Sequence, residues 1–243
     1  MLTKPALVRS ATAILLVLAC MPAMADAVLR ERVLAAAPGL AADVLDLALE
    51  ARDCAAASGR APAATRLAVI DYSRPSTEPR LWLIDVEAGR VLAVEHVAHG
   101  RGSGEDRATR FSNVEGSYQT SLGLYVANET YVGGNGYSLR LDGLDPGYND
   151  RARERLIVMH GADYVDPLQA LRQGRLGRSY GCPAVRPEVA RELIDQLKGG
   201  QLLFAYYPDT RWLASSPNLG CATRLAAGDA AGGVGGAAAT ATP

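Results

Sequence analysis

The chain has 243 residues, with 25 basic and 26 acidic side chains and a net charge of −1. That length suits one domain with short appendages, and the near-neutral balance argues against a nucleic-acid partner, which would draw a basic patch or stripe. Lys4 and Lys198 are the only lysines, His96, His99 and His160 the only histidines, and neither His-Glu-x-x-His nor paired Cys-x-x-Cys occurs, so Schiff-base, Ser–Lys and zinc chemistry are disfavoured.

Met1–Ala25 combines Lys4 and Arg9 with an apolar run from Ala11 to Cys20 and then Ala23-Met24-Ala25. This pattern predicts a secretory signal peptide over residues 1–25, because the run is short of the ~20 residues a membrane span needs. Val17-Leu18-Ala19-Cys20 also offers a loose lipid-attachment site, a minority alternative at Cys20. No other stretch is long and apolar enough to span, so no transmembrane segment is expected after signal cleavage. Residues 26–64 read as a helical extension: Leu40, Val44, Leu47, Ala48 and Ala51 form one apolar stripe between Pro38-Gly39 and a linker around Pro62.

From residue 65 to about 210 the pattern turns to strands, predicted at Leu67–Tyr72, Arg80–Val86, Val91–Val97, Ser121–Ala127, Tyr137–Leu141, Arg155–His160 and Gln201–Tyr207. Glu87-Ala88-Gly89-Arg90 supplies a hairpin turn. Asp166-Pro167 marks a helix start running to about Arg172, and Pro187–Lys198 a second helix with Val189, Leu193, Ile194 and Leu197 on its apolar face and Gly199 behind it. The sum is a mainly β (α+β) domain with peripheral helices. Residues 225–243 are almost all Ala, Gly and Thr and predict a disordered tail, since they cannot bury enough apolar surface to order themselves.

Export leaves Cys54, Cys182 and Cys221, an odd number in an oxidising compartment. Cys54 and Cys221 lie near opposite ends, where a bridge would staple the termini and leave Cys182 unpaired. Cys182 sits in Gly177-Arg178-Ser179-Tyr180-Gly181-Cys182-Pro183-Ala184-Val185, and His160 ends the apolar run Leu156–His160 beside Gly161. A cysteine nucleophile needs a base and a backbone open to the substrate carbonyl; His160 supplies the first and Gly181 the second. Taken alone, Cys182 reads equally well as a packed thiol. Pro183 has no N–H, so the amides of Tyr180, Gly181 and Cys182 are the local oxyanion candidates.

His160-Gly161 followed by Ser179-x-Gly181-Cys182 resembles the core of the L,D-transpeptidase (YkuD-type) catalytic domain, in the branch with an N-terminal helical extension. The segments Val69–Ser76, His99–Gly104, Phe111–Asn113, Ser121–Tyr125 and Tyr137–Asp150 carry the resemblance across residues 65–207. It implies a YkuD-like β-sandwich and a periplasmic cysteine acyltransferase that joins peptidoglycan stem peptides, donor and acceptor, through 3→3 cross-links. It implies Cys182 as nucleophile, His160 as base and acid, Ser179 fixing the imidazole or the turn, and Gly181 contributing an oxyanion amide. Arg178, His99, Gly161 and Tyr180 fall around the substrate, with His99 equally readable as a structural residue. No metal or organic cofactor is implied, and a carbapenem adduct at Cys182 is. The same scaffold could serve an L,D-carboxypeptidase or endopeptidase, an enzyme attaching proteins to murein, or a non-catalytic murein-binding envelope protein. In the better-known branch an arginine follows the cysteine motif closely. Here Pro183 and Ala184 intervene, so an arginine for the donor stem must come from Arg178, Arg186 or elsewhere.

Overall fold

The computed structural model describes residues 27–61 and 63–221; the predicted leader, Cys20 and the Ala/Gly tail lie outside the described residues. Two helices come first, α1 over residues 27–36 and α2 over Ala42–Ala57. Eight strands follow: β1 Arg66–Asp71, β2 Leu81–Asp85, β3 Arg90–Glu95, β4 Gly123–Gly133, β5 Gly136–Gly143, β6 Val158–Gly161, β7 Ala184–Val185 and β8 Gln201–Tyr206. Helices α3 (Pro167–Gln173), α4 (Pro187–Leu197) and α5 (Thr210–Ser215) lie between and after them.

The strands form one mixed sheet in the order β3-β2-β1-β8-β4-β5-β6-β7, with parallel pairing only at β1–β8 and β6–β7. The chain just after β3 returns to the other end of this sheet, where Ala98 bridges Ala184 of β7 and Gly100 bridges Ser179. The mainly β class with peripheral helices is therefore as expected, and the β layers belong to a single sheet bent until its ends meet.

Alternation of side chains divides the core in two. Ala68, Ile70, Leu83, Leu139, Met159 and Leu203 point to one side, where Ala190, Leu193, Ile194 and Leu197 of α4 cover them. Leu67, Val69, Trp82, Leu124 and Phe204 point to the other, under Val44, Leu45, Ala48 and Ala51 of α2 and Trp212 of α5. Strands β1, β2 and β8 are covered on both faces, which is why they read as nearly unbroken apolar runs. The Asp166 carboxylate accepts from the backbone N–H groups of Leu168 and Gln169 to start α3, and Gly174, at φ 76°, ends it.

Cys54 in α2 and Cys221 form a disulfide across 167 residues, while Cys182 is free. Closing so long a loop restricts the unfolded chain, so Cys54→Ser with Cys221→Ser is expected to cost about 2–5 kcal/mol, read as a lower urea midpoint under non-reducing conditions.

Candidate active site

The sheet pairing itself brings the segments of His160 and Cys182 together. His160 in β6 lies between Ser138 of β5 and Ala184 of β7, and Ala184 is only two residues beyond Cys182. Both line a cleft of about 370 Å³, with Ser179, Tyr164, Tyr180 and Arg178. Two further wall residues come from distant segments: Arg101 follows the bridge at Gly100, and Asn135 caps the β4–β5 hairpin.

The turn carrying Cys182 is clipped by Ser179. Its hydroxyl donates to the Cys182 carbonyl at 2.7 Å and accepts from the Gly181 N–H at 3.0 Å. Outside the turn, the Ser179 N–H donates to the His99 carbonyl at 3.0 Å and its carbonyl accepts from the Arg101 N–H at 2.8 Å. Thr120 completes the frame, its hydroxyl accepting from the Gly100 N–H at 2.9 Å and donating to the Gly181 carbonyl at 3.3 Å. Gly181 adopts φ 127°, and an added Cβ would stand 2.9 Å from both the Gln119 carbonyl oxygen and Ile157 Cδ1. Only glycine fits both that backbone angle and that space.

Cys182 is 9% exposed, with Sγ 3.7 Å from the Leu156 carbonyl oxygen. Leu156 itself holds φ 56°, a left-handed conformation costly for a leucine. Burial pushes the Cys182 thiol above its ordinary 9.0, although Val158 backbone hydrogen bonding and the Arg155 guanidinium favour the thiolate. Burial likewise lowers His160 below its ordinary 6.5. His160 Nδ1 lies 2.9 Å from the Gly161 carbonyl oxygen. A carbonyl can only accept, so Nδ1 carries the proton and Nε2 keeps its lone pair. Burial thus favours the uncharged form of each group, a thiol and an imidazole whose Nε2 is unprotonated.

Three expectations from the sequence need correction. His99 does not line the cleft: it is fully buried, with Nδ1 2.8 Å from Arg80 Nη2 and Nε2 directed at the Gly104 carbonyl. Burial and the Arg80 cation push its pKa down to about 3, as fits an imidazole that must accept from an arginine. The Gly181 N–H is engaged by Ser179 Oγ, so of the three amides considered for an oxyanion the turn leaves those of Tyr180 and Cys182. Gly161 faces α4, where an added Cβ would meet Ala190 Cβ at 2.9 Å, so its smallness serves helix packing. Ser179, for which the imidazole and the turn were both open, bonds within the turn.

Arg178 lines the cleft but is paired with Glu105 at 2.8 Å, and Arg186 is held on both oxygens of Glu95. Arg140 meets a carboxylate too, that of Glu129 at 3.3 Å. Among the tyrosines, Tyr125 is buried, whereas Tyr164 and Tyr180 reach the cleft. Arg101 and Asn135 escaped sequence reading because a loop and a hairpin tip bring them in from far along the chain. Among the described residues no group of three His, Cys, Asp or Glu could hold a metal ion, and no helix is long and apolar enough to cross a membrane.

A family model for the L,D-transpeptidase catalytic domain matches residues 36–206, more than two thirds of the chain. A search of curated protein sequences returned no significant match. Among solved structures, the chain is similar to an L,D-transpeptidase from Mycobacterium smegmatis, at 16% identity and TM-score 0.36, covering 59% of each chain. It is also similar to an L,D-transpeptidase from Stackebrandtia nassauensis, at 15% identity and TM-score 0.36, covering 60% of this chain and 57% of that one. A third is the L,D-transpeptidase LdtMt1 in complex with imipenem, at 15% identity and TM-score 0.35, covering 58% of this chain and 59% of that one. The chain thus spans less than two thirds of the length of these structures.

Proposed function

The chain belongs to the L,D-transpeptidase catalytic-domain family, and from that premise we propose that it is an exported cysteine acyltransferase acting on peptidoglycan stem peptides. The observation that carries this reading is the shared cleft, in which the free thiol of Cys182 and the imidazole of His160 face the same space. The Cys54–Cys221 disulfide supports export, since such bonds persist in oxidising compartments, and with the predicted leader it favours the periplasm.

In the first half-reaction His160 Nε2 takes the Cys182 proton as Sγ attacks the carbonyl of the third stem residue. The amides of Cys182 and Tyr180 are the groups available to the developing oxyanion. When the tetrahedral species collapses, the C–N bond to the terminal D-alanine breaks. The imidazolium returns its proton to the departing amine, leaving a Cys182 thioester. In the second half an amine of a neighbouring stem gives a proton to His160 and attacks the thioester. The C–S bond breaks, the thiol is restored and a 3→3 amide cross-link remains. Water in place of the amine would release a tripeptide. None of these steps calls for a redox change or an organic cofactor.

The test is incubation of the mature protein and of Cys182→Ala with disaccharide tetrapeptide, followed by mass spectrometry. Dimers with 3→3 links from the first protein alone are the expected result. Tripeptide alone would redirect the reading to a carboxypeptidase, and the absence of product from both would remove the enzyme reading. Meropenem is expected to add its mass to the peptide containing Cys182, and an adduct surviving in Cys182→Ala would place the nucleophile elsewhere.

A further inference from the structure

We propose that Arg101, lying across the paired rings of Tyr118 and Tyr180, is the group that binds the free C-terminal carboxylate of the donor stem peptide; this rests on the acyltransferase reading above. The cleft has several arginines near it, and the structure separates them by what they already hold. Arg178 and Arg175 share Glu105, at 2.8 and 3.0 Å, and Arg186 is taken by Glu95. Arg155 bonds the carbonyls of Ser112 and Gln119 and the hydroxyl of Ser121. Arg101 also lines the cleft, and among the described residues its side chain is in no ion pair.

Its partners are two exposed rings instead. The guanidinium carbon lies 4.2 Å from the centre of the Tyr118 ring and 4.5 Å from that of Tyr180, with the rings 5.0 Å apart. Tyr180 is 65% exposed, a large aromatic surface that core packing does not explain. Tyr118 holds φ 54°, a left-handed backbone that disfavours any side chain with a Cβ. Its carbonyl accepts from the Gly102 N–H at 2.9 Å, so that backbone is fixed to the Arg101 loop. A guanidinium lying over rings keeps its N–H edge open, and that edge matches a carboxylate with two parallel hydrogen bonds.

The placement fits the carboxylate that leaves with the terminal residue. Arg101 donates its backbone N–H to the Ser179 carbonyl, and a Cβ on Gly100 would lie 2.9 Å from Gly181 Cα. Residue 101 is therefore built onto the same turn as Cys182. In a tetrapeptide donor the terminal carboxylate is one residue beyond the carbonyl that Sγ attacks, about 3.8 Å from one Cα to the next. The cation thus selects a donor that ends at the departing residue and bears a free acid. The Tyr180 ring takes part by holding the cation, apart from any part its backbone amide has in receiving the oxyanion.

The experiment is equilibrium binding of the free-acid tetrapeptide and of its C-terminal carboxamide to Cys182→Ala protein, which cannot turn over. The acid is expected to bind about tenfold or more tightly than the amide, as for a charged hydrogen-bonded pair. In Cys182→Ala with Arg101→Gln that preference falls to about one while the amide is held as before, and Arg101→Lys keeps only part of it. Equal binding of acid and amide with Arg101 present, a preference that survives Arg101→Gln, or no measurable binding of the acid would each overturn the proposal. Turnover by protein with Cys182 intact reports on the other reading: a preference for the acid without turnover upholds the carboxylate site and removes the acyltransferase.

Discussion

Asp145→Ala is expected to lower the stability of the protein by about 3–5 kcal/mol, the scale of leaving several buried donors unmatched. Asp145 is fully buried and joins three parts of the chain. One carboxylate oxygen accepts from the Leu124 N–H at 2.7 Å and from Asn218 Nδ2 at 2.9 Å. The other accepts from Trp212 Nε1 at 3.1 Å and from the Ser216 hydroxyl. Asn149 frames it, accepting from the Asp145 N–H at 2.8 Å and donating to the Leu124 carbonyl at 3.0 Å. Removing the carboxylate strands donors from β4, from α5 and from the segment after it at one stroke. Asp145→Asn keeps the volume and one acceptor oxygen, so about 1–3 kcal/mol is expected there. Denaturant unfolding followed by tryptophan fluorescence measures both, since Trp82 and Trp212 are each buried. A loss below about 1 kcal/mol for Asp145→Ala would mean that water replaces the carboxylate without strain.

This hub shows where sequence reading stops. Strands buried on both faces announce themselves as apolar runs, so the predicted Leu67–Tyr72 and Gln201–Tyr207 agree within a residue with β1 and β8. The helix at Pro187 was equally plain, because proline at its start and four buried apolar residues on one face are local signals. Strand β4 was not. The predicted strand stops at Ala127, before the polar Asn128-Glu129-Thr130, yet the strand continues to Gly133 past an irregularity between Ala127 and Thr130. Long-range partners make up for the polar residues there: Arg153 reaches Glu129 at 2.6 Å and also bonds Asp142, and Asn128 bonds Asp142 as well. Helix α5 was missed although Asp209 caps it on the N–H groups of Arg211 and Trp212. Six residues are too few to show a period, and Trp212 gains its burial from partners outside the helix, Phe204 and Tyr206 among them.

The site was legible to a different depth. Scarcity pointed to Cys182 and His160, since three histidines and one unpaired thiol leave few other choices. What sequence cannot supply is which polar atoms are already engaged. The Gly181 N–H and the side chains of Arg178 and His99 read as available in sequence, whereas Ser179, Glu105 and Arg80 engage them in the fold. Arg80 is the clearest case: it is fully buried, with Nε and Nη2 both donating to the Val97 carbonyl and its guanidinium carbon 5.2 Å from the Tyr72 ring centre. Nothing in its neighbours along the chain marks it, yet with His99 it backs the segment after β3 that the Ser179 N–H bonds.

Replacing His160 by alanine is expected to slow thioester formation by about 10²–10⁴-fold, the contribution of a positioned general base, and the pH behaviour tells how that base acts. Burial raises the Cys182 thiol and lowers the His160 imidazole, so neutral solution holds both uncharged rather than as a thiolate–imidazolium pair. Alkylation of free protein by iodoacetamide needs the thiolate and no base. Its rate at the peptide containing Cys182 is therefore expected to climb through pH 9 without a plateau near neutrality. Thioester formation with a bound donor needs His160 neutral instead. His160 is neutral above its lowered pKa, so that rate holds on the alkaline side and falls only as the pH drops below 6.5. In His160→Ala that acid limb should vanish from the thioester step, while alkylation keeps rising with pH. Peptide-resolved mass spectrometry over a pH series separates the two curves. An alkylation plateau already reached below pH 7 would show that the thiolate is preformed and that His160 acts as its counter-ion.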